Sequence, residues 1–75
     1  MIPRPNPCFL DGCVRLGYIY GEQRWQSPCG AYLFTWDGLH GEIEQFTIRG
    51  KHYGVVHPVT GISIKPAVKG RKINV

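Results

Sequence analysis

The sequence predicts a mainly β fold: a small, highly twisted antiparallel sheet of four to five strands, with an irregular N-terminal arm and little helix. Three observations carry that expectation. No segment sustains the 3.6-residue apolar period of a helix. Ten glycines and six prolines in 75 residues oppose long helices, because both residue types cost helical stability. Short apolar and aromatic runs recur at close spacing between turn signals, the pattern of a sheet or half-barrel built from short strands.

The elements follow in order. Residues 1–12 hold three prolines, an asparagine and a glycine, and read as the arm. Val14 to Tyr20 is apolar and aromatic enough for a strand. Gly21 to Gly30 reads as a loop punctuated by Pro28 and Gly30. Ala31 to Trp36 is the next strand, with Tyr32, Phe34 and Trp36 on one face and Leu33 and Thr35 on the other. Gly38 and Gly41 bracket a turn around His40, and Glu42 to Arg49 is a strand that ends at a hairpin marked by Gly50. Tyr53 to His57 is the strand that answers it, and Pro58-Val59-Thr60-Gly61 has proline and glycine where a type I turn favours them. Ile62 to Ile64 starts the last strand, which Pro66 ends or confines to a sheet edge. Neither repeats nor a linker divide the chain. Residues 1–75 therefore read as a single domain, with arm, first strand and loop in 1–30 and the main sheet and basic end in 31–75.

Charge narrows the function classes. The formal net charge is +4, and from Ile48 onward Arg49, Lys51, Lys65, Lys69, Arg71 and Lys72 meet no acidic residue. Such a field attracts nucleic acid or acidic protein surfaces, and the competing assignment is a solvated tail that aids solubility. No apolar run approaches the ~18 residues of a membrane span. Met1-Ile2-Pro3-Arg4-Pro5 lacks the charged and apolar regions of a signal peptide, so the chain is expected to be soluble. It either works in the cell that makes it or forms the active end of a longer exported protein. The odd cysteine count, Cys8, Cys13 and Cys29, argues against a complete disulfide framework, and the spacing is not that of a zinc finger or ribbon.

One segment concentrates the chemistry. Phe34-Thr35-Trp36-Asp37-Gly38-Leu39-His40-Gly41-Glu42-Ile43-Glu44 places an aspartate, a histidine and two glutamates close together in an otherwise basic chain. Cutting RNA without a metal needs a base for the 2′-hydroxyl proton, an acid for the leaving 5′-oxygen and a cation for the phosphoryl oxygens. His40 and Glu44 fit the first two roles, and a downstream arginine fits the third because guanidinium forks onto phosphate. Residues 40, 42 and 44 share parity, yet four extended residues span about 13 Å, which is long for two groups flanking one phosphate. A bend or bulge at Gly41 is therefore expected. Parity also puts Phe46 and Ile48 on the glutamates' side, so that face turns apolar or the register slips.

On these residues the chain resembles the cytotoxic ribonuclease domain of the ribosome-inactivating E-group colicins. In that family an aromatic and an acid precede Trp-Asp, followed after two residues by His-Gly-Glu-Leu-Glu. The likeness continues through Phe46, through His52 and Gly54, through the turn of Pro58, Thr60 and Gly61, through Ile64-Lys65 and through Arg71 and Ile73. It covers about residues 34–73. It implies a small twisted antiparallel sheet, a cut in small-subunit ribosomal RNA at the decoding site, no cofactor, action in the bacterial cytoplasm and an acidic immunity protein as partner. By position it assigns His40 as general acid, Glu44 as general base, Arg71 as the phosphate's cation and Asp37 as support for the histidine or the substrate. Two positions depart from the family: Phe34 stands where a tyrosine is usual and Thr35 where an acid is usual. The family's basic run is here Gln23 to Ala31, with a single charge, Arg24.

Around that core, Glu42, Trp36, Lys65, Lys69 and Lys72 are candidate substrate contacts. Glu42 reads equally as a solvated strand residue, and Trp36 as core. Arg24 and Trp25 read as a nucleotide-stacking pair or as a loop anchor, and His52 and His57 as structural. Two other classes stay open on sequence: a noncatalytic RNA-binding module of a ribosome-associated protein, and a small zinc-stabilised interaction domain built on the cysteines.

Overall fold

Each strand of the sheet pairs with its neighbour in sequence. In the computed structural model, which describes residues Met1–Val75, the strands are β1 (Val14–Ile19), β2 (Glu22–Gln26), β3 (Tyr32–Asp37), β4 (Glu42–Thr47), β5 (His52–Val56) and β6 (Ser63–Pro66). They form one six-stranded antiparallel sheet in the order β1-β2-β3-β4-β5-β6. A 3-10 turn over Phe9–Gly12 is the one helical element. No helix is long and apolar enough to cross a membrane.

The mainly β expectation holds, with one correction. The sheet has six strands rather than four to five, because the segment expected to be a loop, Gly21 to Gly30, contains β2. Tyr20 (φ 52°) and Gly21 (φ 77°) both adopt left-handed backbone, which closes a two-residue hairpin with Ile19 opposite Glu22. That backbone matches the twist of the flanking strands. The turn signature usually carries Asn or Asp first, and tyrosine there hides it. The N-terminal arm is irregular, as expected, apart from its 3-10 turn. It is folded onto the sheet, with the Phe9 N–H donating to the Pro58 carbonyl (2.7 Å) and the Ile2 N–H to Gly38 (2.7 Å).

Strand alternation gives the sheet two unlike faces. One carries Trp25, Phe34, Ile43 and Val56, and the arm covers it with Cys8 and Leu10 to make the main core. Phe9 packs edge-on to Phe34, with ring centroids 5.4 Å apart. Fully burying a side chain such as Leu10 stabilises by roughly 1.5–3 kcal/mol, so the arm is an integral part of the core. The other face carries Thr35, Glu42, Glu44 and Val55, with Leu33 and Phe46 buried at one end. That face does change from polar to apolar along β4, and the register of β4 on β5 also slips between Gln45 and Phe46.

The chain after β6 turns back over the β4–β5 hairpin. The His52 N–H donates to the Arg71 carbonyl (3.0 Å) and the Ile73 N–H to Gly50 (2.8 Å), while Lys51 and Lys72 form an isolated bridge. Gly50 is required here: its φ is +89°, and an added Cβ would collide with the Ile73 carbonyl oxygen. This return is what brings the basic end to the polar face.

Candidate active site

Asp37 is the last residue of β3, and its carboxylate organises the turn that follows. Oδ1 accepts the Leu39 N–H (3.0 Å) and the His40 N–H (3.2 Å), and the Gly41 N–H returns to the Asp37 carbonyl (2.8 Å). Gly41 takes a φ of 68°, so the expected bend is a tight turn ahead of β4. Oδ2 of Asp37 meets Nδ1 of His40 at 2.7 Å. That pairing places the proton on Nδ1 and leaves Nε2 unpaired on an exposed ring that borders the cleft described below. Burial raises the Asp37 pKa, but the His40 ring and the His40 and Leu39 amides outweigh it and hold the carboxyl below its ordinary value.

Glu44, in the middle of β4, is held by Arg71 and lies beside His52. Nη1 of Arg71 lies 2.5 Å from Oε1, and Nε2 of His52 lies 3.4 Å from the same oxygen. The His52 side chain is fully enclosed, and its Nδ1 accepts the Val68 N–H at 2.9 Å. Nδ1 is therefore unprotonated, and the ring's proton sits on Nε2, aimed at Glu44. No side-chain hydrogen bond of good geometry satisfies that Nε2. His52 therefore borders the Glu44 carboxylate without a hydrogen bond to it, and Arg71 is the group that holds that side chain. Sequence alone assigned it only a structural place, because the contact depends on the returning C-terminal segment.

The polar face opens into two adjoining clefts. One, of about 210 Å³, is lined by Asp37, His40, Glu42, Glu44, Lys65 and Arg71, among others. The second, of about 410 Å³, shares Asp37, Glu44 and Arg71 and extends to Lys72 and Ile73. Imidazole, carboxylate and guanidinium therefore border one space, as cleavage of a single phosphodiester requires. Lys65 is tied to Glu42 by a 2.7 Å ion pair. Lys72 borders the larger cleft, whereas Lys69 is exposed and borders neither. Trp36 packs partly against the core, its indole N–H donates to the Ile2 carbonyl (3.0 Å), and it also borders the larger cleft. Trp25 is buried in the core beneath the Arg4 guanidinium, 4.8 Å from its ring centre, so the exposed Arg24–Trp25 stacking pair does not form. His57 caps its turn by accepting the Val59 N–H (3.1 Å) and the Thr60 N–H (3.3 Å). The three cysteines are free thiols, and no group of three or more His, Cys, Asp or Glu side chains is placed to hold a metal ion.

Among known proteins, the model of one family, described as Cytotoxic, matches residues 17–74. No curated protein and no solved structure matches the chain.

Proposed function

The chain belongs to the Cytotoxic family, and from that premise we propose that it is a metal-independent endoribonuclease toxin that cuts small-subunit ribosomal RNA at the decoding site and so blocks translation. The observation that carries the reading is the common cleft of His40, Glu44 and Arg71. Glu44 takes the proton from the 2′-hydroxyl, whose oxygen attacks the adjacent phosphorus. Arg71 moves from its carboxylate partner toward the phosphoryl oxygens and stabilises the charge that develops there. His40, protonated and steadied by Asp37, gives its Nε2 proton to the departing 5′-oxygen. The products are a 2′,3′-cyclic phosphate and a free 5′-hydroxyl, with one proton taken up and one released.

Ribosomes incubated with the protein and EDTA test this. A discrete RNA fragment is expected, absent with His40→Ala and Glu44→Ala. Intact RNA with the wild-type protein, at concentrations where it binds ribosomes, would leave only a noncatalytic RNA-binding module. A producing cell needs protection from such an activity. An acidic immunity protein that covers the clefts, or docks beside them to exclude the ribosome, fits the basic surface. Action in the bacterial cytoplasm, either as a free toxin or as the delivered domain of a larger one, follows from the same reading.

A further inference from the structure

Arg24 is unexplained by the active site and unusual in its surroundings. It sits in β2 with only 2 % of its surface exposed. It takes part in none of the four ion pairs, and its Nε is enclosed without a hydrogen-bond partner. A nearly buried guanidinium without an ion-pair partner is costly, and folded proteins ordinarily supply a carboxylate; here only Nε is fully enclosed, which leaves the terminal nitrogens to face the cleft. Here the side chain instead lines a third cleft, of about 290 Å³, together with Tyr20, Glu22, Lys72, Ile73 and Asn74. Glu22 is the one acid on that wall, and it pairs with neither cation.

The position of this cleft is informative. Trp25 pairs with Phe34, and continuing that register sets Arg24 opposite Thr35, which in turn pairs with Glu44. Arg24 and Glu44 therefore lie in one transverse row on the polar face, two strands or roughly 10 Å apart. Glu22, Lys72 and Ile73 border both this cleft and the 410 Å³ cleft that reaches Glu44 and Arg71, so the two adjoin. Tyr20, at the outer rim, holds left-handed backbone (φ 52°) while its ring stays largely exposed. A strained, exposed aromatic beside an anion cleft offers a face to an unstacked base.

We propose that Arg24, with Lys72 across the cleft, forms a second phosphate-binding subsite that holds a backbone phosphate of the substrate strand beside the linkage being cut. The assignment of the strand as RNA rests on the nuclease reading; the anion site itself stands on the unpaired guanidinium. The subsite fixes the strand's direction across the sheet, from the Glu44 cleft toward the β1–β2 hairpin, and so holds the scissile linkage in place between His40 and Glu44.

Two arms test it on the full chain. Inorganic phosphate titrated into the wild-type protein is expected to shift the Arg24 Nε–H resonance saturably. An Arg24 resonance indifferent to phosphate overturns the subsite, whatever the protein does to RNA. In the second arm, an uncleavable 2′-O-methyl RNA octamer is expected to bind Arg24→Gln about tenfold more weakly, with a salt slope smaller by about one, and Arg24→Lys is expected to recover part of the loss. Arg24→Met separates binding from scaffolding. With the buried charge gone, its Tm is expected to equal or exceed that of the wild type. A lower Tm with unchanged octamer affinity makes Arg24 structural and overturns the proposal. Wild-type protein that takes phosphate at Arg24 yet leaves ribosomal RNA intact supports the subsite and counts against the nuclease reading instead.

Discussion

Asp37 shows how much one carboxylate can organise: two amides and an imidazole converge on it. Asp37→Asn keeps the shape but loses the charge behind His40, and cleavage is expected to fall by about 10²-fold or more. The same group sets an acid dependence. Its folded pKa is lowered from 3.8, so its stabilising share is complete above that value and is lost as pH falls through the lower one. The stability gap between wild type and Asp37→Asn should be widest near neutral pH and close in acid, as denaturant midpoints across pH would show. The thiols differ just as locally. The Ser27 hydroxyl, 3.4 Å away, helps lower the pKa of exposed Cys29, whereas burial raises that of Cys13. Iodoacetamide is expected to label Cys29 first, and Ser27→Ala to slow that labelling. The acid–histidine–acid motif was legible in the sequence because its spacing is local. The placement of His52 beside Glu44 was not, since the ring is oriented by Val68, sixteen residues further along the chain.

At the level of elements, apolar patterning between turn signals located β1, β3, β4, β5 and β6 to within a residue or two. It failed at β2, where Glu22-Gln23-Arg24-Trp25-Gln26 is polar on paper because the one apolar side chain faces the core and the buried partner on the opposite face is an arginine. The hairpin before β2 was hidden by Tyr20 in a position that favours Asn. Tyr20→Asn is therefore expected to raise stability by about 1 kcal/mol in chemical denaturation, by relieving left-handed strain. The returning C-terminal segment offers the opposite test. Gly50→Ala forces a Cβ into the Ile73 carbonyl as well as into unfavourable backbone, and should cost about 2 kcal/mol or more. Because that segment carries Arg71, cleavage should fall further than the stability loss explains, which activity measured well below the unfolding transition would reveal.

The whole molecule divides its labour between two faces: the arm closes the apolar one and the basic end flanks the polar one. Sequence composition anticipated the sheet, but not that both flanking segments would be structural, because each owes its place to contacts made far along the chain. With its cysteines free, the protein should show the same Tm with and without reductant. A drop of several degrees under reducing conditions would reveal a cross-link. The strand order has a mechanical corollary. The folded chain trace spans 29 × 25 × 24 Å, so a narrower pore can admit the protein only as a thread. A sheet whose neighbours in space are neighbours in sequence peels apart one ribbon at a time, and it can wind up again on the far side without any strand being inserted between two already joined.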